Sequence, residues 1–168
     1  LQHAIFTIPN RREGYTTDDN ARALIFSLML EHMDNHGVPQ DQAVSPDSCA
    51  SNSAGLYLAF LEHAFNSAKG RFKNFLGYDR RWNEPVGSED CHGRALWALG
   101  TVLGRSQNHG QRGAAGRLFE FSLPAATEFS SPRAWAYALL GIQEYLTSYP
   151  GDRDAHKVQF ALSRRLIE

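Results

Sequence analysis

Apolar residues recur at helical spacing in six stretches of the chain, and these stretches are of two alternating kinds. In the first, third and fifth stretches, apolar side chains cover nearly the whole circumference, as in helices that are buried on most sides. The second, fourth and sixth carry one apolar stripe opposite a polar face, as surface helices do. The pattern predicts helices over about 17–37, 51–68, 88–104, 111–126, 131–149 and 152–168.

Three helical hairpins therefore follow one another, each made of a core helix and then a surface helix. This alternation is typical of an α/α toroid, in which an inner ring of helices is wrapped by an outer ring, whereas a bundle gives every helix a similar stripe. The starts of the first and third helices also resemble two copies of one unit. We therefore expect an all-α fold, with about three hairpins of an incomplete toroid.

A chain of 168 residues is long enough to form one domain with a sizeable core, which we expect to span residues 1–168. The sequence starts at Leu1 rather than Met, and it ends inside a helical pattern without a Gly or Pro stop signal. We therefore interpret it as a fragment of a longer protein.

The composition is that of an ordinary globular protein, with 42% hydrophobic and 21% charged residues. Seventeen basic side chains against 18 acidic ones argue against nucleic acid or an anionic membrane surface as the main partner. No apolar run approaches the roughly 18–20 residues of a membrane-spanning helix. Cys49 and Cys91 do not make a disulfide framework, so we expect a reducing, cytoplasmic location.

Signals for cofactors and metals are weak. The sequence has no Gly-rich phosphate-binding loop after a strand, and we expect no cofactor. His32 and His36 have the i, i+4 spacing of metal ligands, but no third ligand lies nearby, so we expect no metal site. Cys91 and His92 are adjacent, but the sequence spacing identifies no third residue that would complete a thiol site with them.

Two helix starts carry adjacent carboxylates. Asp18 and Asp19 open the first predicted helix and Glu89 and Asp90 open the third, and an Arg-Ala-Leu step follows each pair. In a ring of parallel inner helices, all helix N-termini lie at one end, together with the segments that lead into them. We expect this N-terminal mouth to collect Tyr15, Asp18, Asp19, Asn20, Tyr78, Arg80, Arg81, Trp82, Glu84, Glu89, Asp90 and His92.

Such a set of side chains suits a polyhydroxylated ligand. Aromatic rings stack on the apolar faces of sugars, and carboxylates and amides hydrogen-bond the hydroxyl groups. Glycoside chemistry needs two carboxylates on opposite sides of a bond, one as acid and one as base or nucleophile. As catalytic residues we predict an acid from Asp18/Asp19 acting opposite one from Glu89/Asp90. The predicted substrate-binding residues are Tyr15, Asn20, Tyr78, Arg80, Arg81, Trp82 and His92.

The acids also have a structural interpretation. One carboxylate in a first helical turn stabilises a helix by roughly 0.3–1 kcal/mol, and Thr16-x-x-Asp19 is close to a capping box. One acid is enough to cap a helix, however, and its neighbour points about 100° away. Arg22 and Arg94 lie one turn inside apolar helices, where we expect salt bridges to the acids at the mouth.

The long connection between the second and third predicted helices is open to two interpretations as well. Arg80 and Arg81 could clamp a phosphate or carboxylate, or could pair with the neighbouring Asp79 and Glu84. Trp82 could form a platform for a sugar or a lid over the core.

Two motifs resemble a helical region of bacterial carbohydrate-active proteins, found behind nucleotide-sugar glycosyltransferase domains and encoded near mannoside phosphorylases. The matching stretches are Leu1–Ala4, Ile8–Leu24, Asn74–Leu76, Asp79–Trp82 and Gly87–Trp97. The resemblance implies a six-hairpin, glycosidase-like toroid in a sugar pathway, and it supplies no catalytic assignment. The nucleotide-sugar-binding domains of such a transferase are absent from these 168 residues.

We therefore expect a carbohydrate-active domain that binds or processes a glycan, with its site at the N-terminal mouth. The paired acids favour an enzyme, as part of a glycosyltransferase or of a glycoside hydrolase or phosphorylase. The expected partners are a carbohydrate and a fused or adjacent glycosyltransferase domain. The alternative is a non-catalytic accessory domain or a helical-repeat interaction domain.

Overall fold

The computed structural model describes residues 4–10, 12–37 and 49–168, except for the side chains of residues 9, 33–37 and 49–52. This part of the chain is mainly helical, as predicted. The helices are α1 (Thr17–Gly37), α2 (Cys49–Ala64), α3 (Glu89–Arg105), α4 (His109–Ser122), α5 (Pro132–Ser148) and α6 (Arg153–Ile167), with a 3-10 helix at Leu123–Glu128. The strands are β1 (Ala4–Ile5), β2 (Ile8–Pro9), β3 (Tyr15–Thr16), β4 (Phe65–Asn66), β5 (Arg71–Phe72) and β6 (Phe75–Leu76).

Most helix starts follow local capping signals. Ser88 and Ser131 accept backbone hydrogen bonds at the starts of α3 and α5, and Asp152 does so at the start of α6. Asn108 caps α4, which therefore begins two residues before the predicted position.

Two predicted helix ends are wrong. The second helix ends at Ala64 rather than near residue 68, because Phe65 and Asn66 pair with Phe72 and Arg71 as strands. The fourth ends at Ser122 and continues as a 3-10 helix, since Pro124 has no N–H to donate to an α-helical hydrogen bond.

The helices form two rows. In one row α3 lies between α1 and α5, and in the other α2 packs on α1, α4 on α3 and α6 on α5. The three odd-numbered helices were predicted to be buried on most sides, but this holds for α3 rather than for its neighbours. Eleven of the 17 residues of α3 are buried, whereas α1 exposes Phe26 by 61% and α5 exposes Leu140 by 45%. The reason is that α3 has a helix on either flank.

Glycines bring α3 and α5 into close contact. A Cβ atom placed on Gly93 would lie 2.7 Å from the carbonyl oxygen of Ala134. Cβ atoms on Gly100 or Gly141 would overlap the backbone of the opposite helix. The two backbones therefore approach as closely as the absence of side chains permits.

A short strand pair places the segment before α1 beside the connection between α2 and α3. β3 pairs antiparallel with β6, with Tyr15 opposite Leu76 and Thr16 opposite Phe75. The turn before β3 uses Gly14 at a φ of 66°, where a side chain would overlap the Leu76 carbonyl. This pairing positions the residues that the sequence singled out.

Candidate functional site

The N-terminal ends of α1, α3 and α5 lie at one end of the protein, which we call the N-terminal face. Asp18 in the first turn of α1 accepts hydrogen bonds from Arg94 of α3. Glu89 in the first turn of α3 accepts hydrogen bonds from the backbone N–H groups of Ser130 and Ser131, directly before α5. The segments leading into the three helices therefore meet, as the toroid pattern predicted.

Asp18 is held by two arginines. Nη1 of Arg94 lies 2.6 Å from both carboxylate oxygens, and Nη2 of Arg22 lies 2.8 Å from Oδ2. Arg94 also donates to the hydroxyl of Tyr137 at 2.9 Å and lies 4.7 Å from the centre of that ring. Burial by itself lowers the pKa of Arg94, but the hydrogen bonds to Tyr137 and Asp18 outweigh it and raise the pKa overall. The predicted salt bridges of Arg22 and Arg94 are confirmed.

Asp19 and Asn20 bond to the start of their own helix. The hydroxyl of Thr16 donates to Asp19 at 2.8 Å and accepts the backbone N–H of Asp19 at 3.2 Å. The amide of Asn20 donates to the carbonyl of Thr16 at 2.7 Å. These contacts are those of a helix cap, although the Asp19 side chain stays 37% exposed and also pairs with Arg22.

The second acidic pair joins α3 to α5. Glu89 accepts the N–H groups of Ser130 and Ser131 at 2.9 and 2.7 Å. Asp90 accepts a hydrogen bond from the Ser131 hydroxyl at 3.2 Å and pairs with Arg133. Each of these carboxylates thus bonds to groups of the segment that begins α5.

Aromatic side chains form a partly exposed cluster beside the start of α1. We call Tyr15, Phe60, Tyr78 and Trp82 the aromatic platform. The rings of Tyr15 and Tyr78 stack with centroids 6.2 Å apart and planes 12° apart, and Tyr78 is 49% exposed. Phe60 of α2 lies 6.4 Å from Tyr15 and 5.9 Å from Trp82. Sequence reasoning missed Phe60, because its helical spacing placed it in the core stripe of α2.

Trp82 is half-buried and packs against the hydrophobic core. Its ring contacts Phe60, His63 at 5.3 Å, and the ammonium of Lys73, which lies 4.7 Å from the ring centre. Its Nε1 is buried and has no hydrogen-bond acceptor within the described part of the chain. The Trp82 side chain therefore packs beneath the other rings of the aromatic platform and adds little to its exposed surface.

Arg80 and Arg81 lie in an exposed turn next to Tyr78. The N–H of Arg80 donates to the carbonyl of Gly77 at 2.9 Å, and the N–H of Gly77 donates to the carbonyl of Arg81 at 2.8 Å. The Arg81 side chain is 87% exposed and reaches Asp79 only at 3.9 Å. Both guanidinium groups are thus accessible to solvent. Glu84 instead accepts the N–H groups of Asn74 and Phe75, each at 2.7 Å, and holds this connection together.

His92 was predicted to bind substrate, but its position in the structure does not allow this. It is fully buried between the rings of Phe72 and Phe129. Its Nδ1 accepts the N–H of Phe72 at 3.3 Å, and its Nε2 lies 3.0 Å from the carbonyl of Ser122. Burial lowers the pKa of His92 to about 3, so the ring is neutral near pH 7. It joins the core and cannot contact a ligand at the surface.

Neighbouring Cys91 is also buried, and burial raises the pKa of its thiol. In the described residues no group of three or more His, Cys, Asp or Glu side chains is arranged to hold a metal ion. The side chains of His36 and Cys49 lie outside the described residues, as do residues 38–48. No helix in the described ranges has the length and hydropathy needed to cross a membrane.

A second feature lies away from every predicted site residue. A groove of about 990 Å³ opens between α4, the 3-10 helix, α5 and α6, where the C-terminal ends of α3 and α5 lie. Tyr145 of α5 and Tyr149, which directly follows α5, line this groove. The sequence pattern placed Tyr145 among the apolar residues of a core helix and indicated no chemistry for either ring.

The fold and site define a mainly helical protein with aromatic and charged side chains gathered at the N-terminal ends of three adjacent helices. Comparison with protein-family models, curated proteins and solved structures found no match.

Proposed function

We propose that this protein is a carbohydrate-binding domain of the α/α-toroid type, with its glycan site at the N-terminal face. The observation that carries the proposal is the stacked pair of Tyr15 and Tyr78, with Tyr78 49% exposed and the accessible Arg80 and Arg81 next to it. An exposed tyrosine ring can stack on the apolar face of a pyranose, while guanidinium groups donate hydrogen bonds to its hydroxyls.

The helix arrangement supports the toroid part of the proposal. Three successive hairpins place α1, α3 and α5 in one row and α2, α4 and α6 behind them. The starts of the first-row helices meet at one face, through Asp18–Arg94 and through Glu89 with Ser130. Part of a double ring of helices has this arrangement.

The carboxylates favour binding over catalysis. A glycosidase needs two acids facing each other across an open gap of roughly 5–10 Å. Here Asp18 is held by arginines, Asp19 caps α1, and Glu89 and Asp90 bond to the start of α5. We therefore propose an accessory role, in which the domain presents a glycan to a fused or adjacent glycosyltransferase domain. The helical region that this chain resembles is encoded near mannoside phosphorylases, so mannosides are the first ligands to test.

The test is calorimetric titration with β-1,4-linked mannobiose and mannotriose, with cellobiose as a second disaccharide. We expect saturable binding of a mannoside, and Tyr78→Ala should weaken it by about tenfold because the stacking surface is lost. Phe160→Ala is the matched control, because Phe160 is an aromatic residue of α6 that is 67% exposed and far along the chain from the platform. No binding of any of these sugars, or equal binding by the Tyr78 variant, would refute the proposal.

Turnover of the same sugars separates binding from catalysis. Wild-type protein incubated with each oligosaccharide, with and without inorganic phosphate, should release no mannose or mannose 1-phosphate. If turnover occurs and Asp19→Asn or Glu89→Gln abolishes it in a folded protein, the domain is an enzyme and the accessory role is wrong.

A further inference from the structure

The groove at the C-terminal ends of α3 and α5 is built from an aromatic wall and an apolar floor. Phe119 of α4 stacks on Tyr145 with centroids 4.7 Å apart, and Tyr145 stacks on Tyr149 at 4.8 Å. The floor between these rings and α6 includes Leu103, Leu123 and Val158. Its volume of about 990 Å³ is at the upper end of the range typical of small-molecule sites.

Polar groups on the aromatic wall are already bonded within the protein. The hydroxyl of Tyr145 donates to Asp152 at 2.6 Å, and burial together with this bond raises the pKa of the phenol. Asp152 also accepts the N–H groups of Asp154 and Ala155 as the cap of α6, and Asp154 pairs with Lys157 at 2.7 Å. The wall therefore presents ring surface rather than open hydrogen-bonding capacity.

Two charged residues of the groove, Arg112 and Glu120, form no ion pair within the described ranges, whereas Arg94 and Arg105 each pair with an acid on a neighbouring helix. The hydrogen bonds of Arg112 are long, at 3.5 Å to the carbonyl of Ser106 and 3.3 Å to the hydroxyl of Tyr149. Its guanidinium carbon also lies 5.8 Å from the centre of the Tyr149 ring. Arg112 lies in the first turn of α4, where the helix dipole adds to its attraction for an anion.

Two glycines keep the α4 wall of the groove open. A Cβ on Gly113 would meet no atom within 4 Å, and one on Gly116 would meet only Leu103 at 3.7 Å. By contrast, Gly100 and Gly141 are required by the contact between α3 and α5. Glycine weakens a helix, and no close helix contact requires it at these two positions, which line the groove.

We propose that this groove binds a small ligand with a flat apolar body and one carboxylate-type anionic group. The body would lie along Phe119, Tyr145 and Tyr149, and the anionic group would face Arg112. Glu120, eight residues further along α4 and therefore about 12 Å from Arg112 along the helix, disfavours a second anionic group at the other end. The proposal does not depend on the glycan site, which lies at the opposite ends of α3 and α5.

The test uses 1-naphthaleneacetate as the anionic probe and its neutral amide as the matched uncharged probe, titrated into isotopically labelled protein and followed by NMR. We expect saturable shifts on α4, α5 and α6 and tighter binding of the anion. Arg112→Gln should weaken binding of the anion by about tenfold and leave the neutral probe unchanged. Gly113→Leu should block both probes by filling the groove.

Arg117→Gln is the control, since Arg117 lies on the same helix, does not line the groove and pairs with Glu62. It should change neither affinity. Equal affinities for the two probes, shifts outside the groove, or binding that survives both Arg112→Gln and Gly113→Leu would overturn the proposal. Because Gly113→Leu adds a helix-favouring residue in open space, loss of folding is not expected to obscure the result.

Discussion

Nη1 of Arg94 lies 2.6 Å from both carboxylate oxygens of Asp18 and so joins the first turn of α1 to the second turn of α3. The two side chains are only 17% and 23% exposed. Removing one partner of a mostly buried ion pair leaves the other without its compensating charge. The resulting loss in the free energy of unfolding is larger than the loss on removing an exposed ion pair.

Asp18→Asn should therefore lower the free energy of unfolding by about 1–3 kcal/mol, because Arg94 keeps its charge and loses its closest partner. Glu62→Gln removes an exposed ion pair with Arg117 and should cost less than about 0.5 kcal/mol. Urea denaturation of both variants gives the comparison. Equal losses would mean that the Asp18–Arg94 pair adds no more than a surface contact.

Replacement of glycine by alanine should have opposite effects on stability at Gly100, which lies in a helix contact, and at Gly113, which does not. Gly100→Ala should destabilise the protein by about 1–3 kcal/mol, because its methyl group would overlap the backbone of α5 at Gly141. Gly113→Ala should raise stability by about 0.5–1 kcal/mol, since it gains helix propensity in open space. Thermal and urea unfolding measure both changes, and the same sign for the two variants would contradict the close approach of α3 and α5.

The burial of His92 should make the stability of the protein depend on pH. Its pKa in the folded protein is lowered to about 3 by burial, whereas an unfolded histidine titrates near about 6.5. Between these values the unfolded chain binds the extra proton, so the free energy of unfolding falls as the pH decreases. The slope due to this one group is at most about 1.4 kcal/mol per pH unit.

His92→Gln removes that titration, so its stability should fall less steeply than that of the wild type between about pH 6.5 and pH 4. His63→Gln is the matched control for the loss of a histidine, because His63 is exposed on α2. The measurement is urea unfolding at a series of pH values. Parallel curves for the wild type and the His92 variant would contradict a neutral buried imidazole.

Substitution of Glu89 should loosen the segment at the start of α5. Glu89→Gln keeps a neutral acceptor but weakens the charge-assisted bonds to the N–H groups of Ser130 and Ser131. Hydrogen exchange at these two amides should become faster, and stability should fall by about 1 kcal/mol. Unchanged exchange there, in a protein whose other amides behave normally, would mean that the carboxylate does not hold this segment.

Part of the fold could be predicted from the sequence because helix caps involve only neighbouring residues. Ser88, Ser131 with Pro132, and Asp152 mark helix starts because a cap bonds to an N–H only two or three residues away. The capping interpretation of Thr16 and Asp19 agrees with the structure for the same reason. Where such a signal competed with distant pairing, as at Phe65 with Phe72, the predicted helix end was wrong.

The candidate site was predictable in position rather than in detail. The periodicity of the odd-numbered helices indicated that their N-termini share one face, and the contacts of Asp18 with Arg94 and of Glu89 with Ser130 agree. The burial of His92 was not predictable, because its acceptor, the carbonyl of Ser122, lies 30 residues away. Phe60 joins the platform for a similar reason, since α2 meets the segment around Tyr15 only in the folded chain.

The sequence by itself thus determined the six helices, most of their starts and the shared end of the acidic pairs, because periodicity and capping act within a few residues. Only the tertiary structure decided that α3 rather than α1 or α5 is surrounded, that the acids are occupied by Arg94 and by the start of α5, and that an open groove lies beside Arg112. These features depend on how helices far apart in the chain are placed against one another, which no local pattern specifies.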